Sequence, residues 1–397
     1  MRLMDLLRCG ALATLTSFAT PVLAGDSPTL VVTATRIGEP AASLPQSEAL
    51  IDGQSLRDRG VFDLRGALAT AGGVEVLPGG DGGPAASVLA FHGLAEMDAY
   101  LLVVDGVPAG GAFNPATASF DPIDLDRIEL LRGAAPVSFG ATSFVGVVHA
   151  IHAAAGEQNS RGWIEAGTRR SGRVAFATSL SSGTFGQSLL ASAETRDDAQ
   201  DRAGFRRVHL LYRAAGDIGA GRLHADLDGT LLDQTPNSPH PLEDGALTPR
   251  FPIDANINPA DARQDQRRLQ ANIGYDSKVG GLGWSTLASI ARTGSRNTRG
   301  FLRDEFAEDG VTVNADGFRQ RVVTTDIYVD SHVGAKSRGF DWVVGADWLI
   351  GRGHQRSANF EYPVLPNGSN VPLSTDRNTD ESTYVADRRS FSGLYAQ

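Results

Sequence analysis

The chain has 397 residues, 41% hydrophobic and 21% charged, with a net charge of −10. That length holds more than one domain, and the acidic balance argues against a nucleic-acid partner, which needs clustered Lys and Arg. The only cysteine is Cys9, which excludes a disulfide framework and a thiolate site.

Residues 1–24 read as a secretory signal peptide. Arg2 and Arg8 supply the basic start, Gly10 to Thr20 the apolar stretch, and Val22-Leu23-Ala24 a cleavage site before Gly25. No segment reaches the roughly 18 consecutive apolar residues of a transmembrane helix. A closed β-barrel is the other way for a chain to cross a bilayer.

Residues 25 to about 36 are extended and lack turn signals. Residues 40–155 read as a small α/β domain. Asp52 caps a helix through Leu56 and Arg59, and Asp63 caps a second with Leu64 and Leu68 on one face. Strands are expected at Val74–Val76, Val88–Phe91, Tyr100–Val104, Ile128–Leu131 and Val147–Ile151. Asp105-Gly106 is a turn signal.

From residue 160 to 397 the period changes to two. Leu223, Ala225, Leu227 and Leu231 alternate with His224, Asp226, Asp228 and Thr230. Leu269, Ala271, Ile273 and Tyr275 alternate with Gln270 and Asn272, and Phe340 to Trp348 repeat the pattern. Runs of about ten residues with this period suit barrel strands between lipid and a polar lumen. Ten strands are expected near 161–168, 173–181, 187–194, 206–214, 222–231, 267–276, 283–292, 321–331, 339–350 and 391–397. From about residue 215 onward, short turns at 215–221, 277–282 and 332–338 alternate with long connections at 232–266, 293–320 and 351–390, while the earlier links at 169–172, 182–186 and 195–205 are all short. A transmembrane barrel requires that alternation, with turns in the periplasm and loops outside; a soluble sandwich does not.

The segment Thr29-Leu30-Val31-Val32-Thr33-Ala34-Thr35-Arg36 resembles the energy-coupling box of TonB-dependent outer-membrane receptors. Asp105-Gly106-Val107-Pro108, Ile128-Glu129-Leu130-Leu131-Arg132-Gly133, Ser138-Phe139-Gly140 and Gly146-Val147-Val148 resemble that family's plug in order and spacing. Three details depart from the pattern: His92-Gly93 stands for Arg-Gly, Val145 for the first Gly of a pair, and His149 near the usual Asn. The resemblance implies a mainly β chain. A signal peptide (1–24), a TonB-box segment (25–39) and an α/β plug (40–155) precede an antiparallel transmembrane barrel (160–397) in the bacterial outer membrane.

The resemblance further implies active uptake of a scarce ligand, a ferric siderophore or similar iron complex, with cobalamin, haem or saccharide as alternatives. TonB, energised by the inner-membrane proton gradient, would capture Thr29–Thr35 by strand addition. Asp105, Gly106, Gly133, Gly140 and Gly146 are the plug-motif residues, and Glu129 and Arg132 the candidates for a plug–wall latch. Phe251, Phe301, Phe306, Phe360 and Tyr362, in or beside the long connections, are candidates for stacking on the ligand or for packing the loops. Trp342 and Trp348 suit the lipid interface.

No enzyme, cofactor or metal motif occurs: there is no Gly-x-Ser-x-Gly, Walker loop, His-Glu-x-x-His or Cys pair. His224 with Asp226, and Asp197, Asp198 and Asp201, lack metal-site spacing and read as polar lumen and loop residues. A passive porin-like channel or adhesin is the first rival, opposed by the plug and the segment at 29–36. An outer-membrane barrel enzyme is the second, and needs a nucleophile–base pair that no motif supplies.

Ten strands about 4.8 Å apart and tilted about 40° close to a diameter of roughly 20 Å. A plug of roughly 130 residues is about 36 Å across. About 22 strands give roughly 44 Å. The expectation is therefore a partial barrel, about ten strands of roughly 22, that does not form a heat-modifiable barrel alone in detergent.

Overall fold

The computed structural model describes residues 30–31, 39–40, 48–61, 63–71, 73–77, 88–94, 100–113, 121–133, 145–157, 159–303, 313–336, 340–365, 373–374 and 379–396. The signal peptide, Thr29, Val32 to Thr35, Gly140 and Phe306 lie outside these residues.

Strands β1 (Leu30–Val31) and β2 (Glu39–Pro40) pair antiparallel as a sheet of their own. Strand β3 (Glu48–Asp52) runs into α1 (Gly53–Asp58), where Asp52 accepts the Ser55 N–H at 2.7 Å. Asp63 opens α2 (Leu64–Ala69) in the same way, accepting the Gly66 N–H at 2.6 Å. Each carboxylate satisfies a donor that the first helical turn leaves unpaired.

β4 (Val74–Leu77) pairs with β5 (Val88–Phe91). β6 (Tyr100–Val104), β7 (Val107–Pro108), β8 (Leu125–Arg132) and β9 (Gly146–His152) join β3 in a five-stranded sheet of order β3-β8-β9-β6-β7. Only β6 and β9 are parallel. The helices pack on this sheet through Leu56, Leu64 and Leu68, against Phe91, Leu102, Ile128, Leu130 and Val148. Each fully buried side chain of this kind stabilises the domain by about 1.5–3 kcal/mol. Every plug strand and both helices expected from periodicity and capping are present. β3 went unread because its apolar run, Ala49-Leu50-Ile51, is too short to show a period.

The remaining strands form one antiparallel sheet in chain order. They are β10 (Arg161–Ala166), β11 (Gly172–Ser182), β12 (Phe185–Asp197), β13 (Gly204–Ile218) and β14 (Gly221–Thr235). A small hairpin, β15 (Leu242–Glu243) with β16 (Ala246–Leu247), stands apart in the next connection. The sheet continues with β17 (Arg263–Val279), β18 (Leu282–Leu302), β19 (Ala315–Lys336), β20 (Asp341–Tyr362) and β21 (Thr379–Ala396). It runs from β10 at one edge to β21 at the other. A sandwich needs two sheets packed face to face; here one face of one sheet packs on the plug.

The alternation follows the sequence. Leu227, Leu231, Leu269, Ile273, Val344 and Trp348 are exposed on the outer face, while Asp226, Thr230, Gln270 and Leu349 are buried on the inner one. Tight turns close one end of the hairpins, with left-handed glycines at Gly183 (φ 60°), Gly219 (φ 61°) and Gly280-Gly281 (φ 59° and 84°). The strands are longer than about ten residues: β19 and β20 have 22 each. The apolar belt has the expected length, but the ladders continue beyond it as polar hairpins, for example Gln266↔Ser295 and Arg263↔Thr298. Backbone pairing thus replaces much of what reads as loop in the sequence.

Candidate functional site

Asp105 and Gly106 form the tight turn after β6, both left-handed at φ 47° and 86°. That turn aims the Asp105 carboxylate at the wall. It accepts the His152 N–H at 2.9 Å and lies 2.7 Å from His152 Nδ1 and 3.8 Å from Arg213 of β13. Arg213 donates to the carbonyl of Ala153 at 2.6 Å and to Asp226 of β14 at 3.0 Å. One guanidinium therefore ties plug backbone, plug carboxylate and wall together.

Asp121 makes the second contact. It caps a 3₁₀ turn, Pro122–Asp124, by accepting the Ile123 N–H. Its fully buried carboxylate also accepts from Arg173 of β11 at 2.8 Å and Ser192 of β12 at 2.6 Å, with Arg207 of β13 at 3.8 Å. Asp124 faces Arg161 of β10 at 3.3 Å. Between these charges Ile123 is buried against Ala175, Ala177, Leu190 and Leu211 of the wall.

Across the lumen, the loop after β7 meets β19 to β21. The Ala112 N–H donates to Asp326 at 2.9 Å, and Arg389 lies 4.9 Å over the Phe113 ring. Val107 and Ala112 pack on Tyr328 and Leu349, with Phe391 and Leu287 beside them. Gly111, at φ 60°, allows this approach: a Cβ there would lie 2.1 Å from the Asp326 carboxylate carbon.

Two of the expected latch residues sit elsewhere. Glu129 is buried inside the plug, where it accepts from Arg127 at 2.9 Å and lies 4.0 Å from His149. The Gly106 N–H donates to His149 Nε2 at 3.2 Å, which places the His149 proton on Nδ1, toward Glu129. Arg132 lies against Gly73 in the plug. Gly133 has φ 106°, and Gly146 lets Phe91 and the Leu131 carbonyl approach β9. Among the described residues the plug–wall ion contacts are made by Asp105, one of the expected plug-motif and latch residues, and by Asp121 and Asp124, which were not singled out. Their partners Arg173, Arg207 and Arg213 alternate with outward apolar residues, which was the available signal.

The aromatic candidates divide between the two faces. Phe251, Phe360 and Tyr362 are buried in one cluster with Ile257, Ala315 and Val364. By register, Phe360 and Tyr362 are on the face opposite the plug contacts, because Leu349 and Gly351 of the same strand touch the plug. The connection carrying Phe251 and Ile257 folds over them, held by Tyr362 Oη donating to the Ile257 carbonyl at 3.0 Å. Phe301 is on the inner face, 40% exposed and stacked on Phe318 at 6.3 Å. Sequence position alone cannot separate Phe301 from Phe360, since the face depends on pairing register.

Above the plug loop lies a cavity of about 520 Å³. Gly111 and Phe113 form its floor, and Asn297, Gln320, Gln355 and Asp387 part of its walls. His224 lies 3.5 Å from Asp276, while Asp226 pairs with Arg213. Among the described residues no group of three His, Cys, Asp or Glu side chains could hold a metal ion.

Burial alone would raise the Asp105 carboxyl, but the Arg213 charge and the His152 contacts outweigh it and hold it below the ordinary range. Burial likewise opposes charge on Asp121; Arg207, Arg173 and His209 outweigh it and lower its pKa. For His152, burial disfavours the imidazolium, yet Asp105 outweighs burial and raises the pKa. The carboxylates therefore stabilise the plug above about pH 4, losing that effect as pH falls through their lowered values. His152 stabilises it below about pH 6.5, losing that effect as pH rises through its raised value. Calorimetry of the protein in detergent should find plug stability greatest between about pH 4 and about pH 6.5; a flat profile would contradict the assignment.

Residues 40–147 match the family model of the TonB-dependent receptor plug domain. This chain carries a TonB-dependent receptor plug domain. The vitamin B12 transporter BtuB of Vibrio vulnificus (strain CMCP6) is 29% identical over 124 residues, 31% of this chain and 20% of that protein. The ferripyoverdine receptor of the outer membrane of Pseudomonas aeruginosa, solved with ferripyoverdine bound, matches with a TM-score of 0.73 and 15% identity. That match covers 93% of the present chain and 51% of the other. The siderophore receptor PiuA from Acinetobacter baumannii matches with a TM-score of 0.71 and 16% identity, covering 90% and 56%. The chain thus spans about half the length of these two solved structures. At such identities the likeness is one of fold: a plug set against a large antiparallel barrel sheet. Among the described residues no helix is long and apolar enough to cross a membrane, and the strands carry the lipid-facing belt.

Proposed function

We propose that the receptor takes up a scarce ligand, a ferric siderophore or similar iron complex, by energy-coupled transport and without catalysing a reaction. The observation that carries this reading is the cavity between the plug loop at Gly111–Phe113 and the inner wall. Phe301 and Phe318 stack on that same inner face, toward the long-connection end of their strands. Stacked aromatics over a polar chamber suit a planar or aromatic chelate. Cobalamin, haem and saccharides are the alternative cargoes.

In this mechanism the ligand settles on Phe113, and TonB captures Thr29–Thr35 by adding the segment to its own sheet edge. Leu30–Val31 already pairs as a strand with Glu39–Pro40, so capture exchanges one strand partner for another. Pulling must then break the Asp105 and Asp121 contacts before the ligand can pass. The proton gradient supplies the energy, so no nucleotide site is required.

Binding of a ferric siderophore, cyanocobalamin and haemin to the receptor tests the cargo. Phe301→Ala is expected to weaken the iron complex by about tenfold, the worth of one stacked aromatic pair. Tighter binding of cyanocobalamin than of any iron complex would overturn the cargo assignment. Deleting residues 29–36 should stop uptake while binding persists; unchanged uptake would overturn energy coupling.

A further inference from the structure

The plug loop Gly110–Phe113 sits in a slot in the inner wall. Register puts Asp326 of β19, Gly351 of β20 and Arg389 of β21 in one row, with Gly353 and Asp387 paired in the next row on the same face. The two glycines make the slot. A Cβ on Gly351 would lie 2.5 Å from Ala112 Cβ, and one on Gly353 would lie 2.8 Å from Phe113 Cζ. The edge of the Phe113 ring therefore rests against bare β20 backbone.

Two wall side chains hold opposite ends of Ala112. Its N–H donates to Asp326 at 2.9 Å, and its carbonyl accepts from Arg389 Nη1 at 3.4 Å. The Arg389 guanidinium also lies 4.9 Å over the Phe113 ring and donates through Nε to Asp387 at 2.9 Å. The two holds differ in strength. Ala112 and Asp326 are both buried, so their bond is shielded from water. The side chains of Arg389 and Asp387 are 50% and 47% exposed, so that pair is screened and weak.

Phe113 and Arg389 line the same cavity. With the ring edge held in the slot, a planar ligand reaches Phe113 through a ring face, and the guanidinium occupies that kind of contact already. A cation over an exposed ring is worth about two- to fivefold in an equilibrium, whereas a stacked aromatic pair is worth up to about tenfold. The ligand therefore wins the exchange.

We propose that Arg389 is a displaceable cover on Phe113, which couples ligand binding to release of the plug loop. The ligand takes the ring face, the guanidinium swings away on Asp387, and the Ala112 carbonyl loses its donor. On this wall the loop is then held by Asp326 and by the packing of Val107 and Ala112 on Tyr328 and Leu349. Arg389 acts as a positioning residue that gives up ligand affinity in return for coupling. This role rests on the proposed seating of the ligand on Phe113.

The test uses the intact receptor in detergent and, as probe, the ferric complex of 2,3-dihydroxybenzoate, an aromatic chelate. Hydrogen exchange of residues 110–113 reads the loop. Without the chelate, Arg389→Ala should speed that exchange about two- to fivefold and leave residues 121–125 unchanged. The chelate should speed loop exchange in wild type and leave it unaltered in Arg389→Ala. It should also bind Arg389→Ala about two- to fivefold more tightly, because nothing has to be displaced. A merely structural arginine would leave affinity unchanged, and an arginine that grips the ligand would lower it on removal. Arg389→Lys keeps a cation near the ring and should fall between. Unchanged or weaker binding to Arg389→Ala, or wild-type loop exchange in that variant without the chelate, would overturn the proposal. Phe113→Leu separates this outcome from failure of the seat itself. Equal binding by Phe113→Leu and wild type, or none by either, removes the seat and the cover with it. Weaker binding by Phe113→Leu, without tighter binding by Arg389→Ala, keeps the seat and removes only the role of Arg389.

Discussion

Replacing Asp121 with Ala is expected to destabilise the seated plug by about 3–5 kcal/mol, the cost of removing one partner from a buried charge network. Asp121 is fully buried and accepts from Arg173 and Ser192, with Arg207 and His209 within 4.0 Å. Arg173 and Arg207 are themselves buried, so the variant leaves cationic groups in a site that water reaches poorly. Asp121→Asn keeps the shape and loses only the charge, so it should fall between Ala and wild type. The exposed pair Arg303–Asp316 is the control, since Asp316→Ala should cost at most about 1 kcal/mol. Guanidinium unfolding of the receptor, with proteolysis of the plug as a second readout, measures all three. An Asp121→Ala protein that unfolds at the wild-type midpoint would show that the plug is held by its apolar contacts alone.

The second large effect concerns Gly146, where β9 begins between β6 and β8. A Cβ there would lie 2.5 Å from Phe91 Cε1 and 2.8 Å from the Leu131 carbonyl oxygen. Phe91 cannot step aside easily, because it is fully buried and stacked on Tyr100 with ring centroids 5.9 Å apart. The carbonyl is part of the β8–β9 ladder and cannot move without breaking it. Gly146→Ala should therefore cost about 1–3 kcal/mol through overpacking. Phe91→Leu alone creates space and should destabilise modestly. Combined with Gly146→Ala it should recover part of the loss, giving a coupling energy of opposite sign in a double-mutant cycle. A Gly146→Ala plug as stable as wild type would refute this account of the glycine.

The two regions of the chain were legible to different degrees. In the plug, the capping carboxylates Asp52 and Asp63 and the turn Asp105-Gly106 announce local structure through their own hydrogen bonds. Gly133 and Gly146 are needed for a left-handed backbone and a close approach, so the motif around them survives as sequence. In the barrel, the two-residue period of Leu227 to Leu231 and Leu269 to Tyr275 shows which residues face lipid, because burial on one side of a pleated strand imposes that period. Strand ends were not legible there. The hairpins of β18 to β20 extend through polar residues, and a polar strand paired outside the lipid belt has no period to betray it.

By itself the sequence determined the strand period, the helix caps, the turn glycines and the plug motif, since each is a local demand on residue type. Only the tertiary structure decided which charges hold the plug. Asp121 meets Arg173 across 52 residues and Asp105 meets Arg213 across more than a hundred. Such partners are chosen by how the plug sits against the wall. The same holds for the aromatics, since one step along a strand turns Phe301 toward the lumen and Tyr362, by its own register, away from it. Local propensity says nothing about that choice; the pairing of the whole sheet makes it.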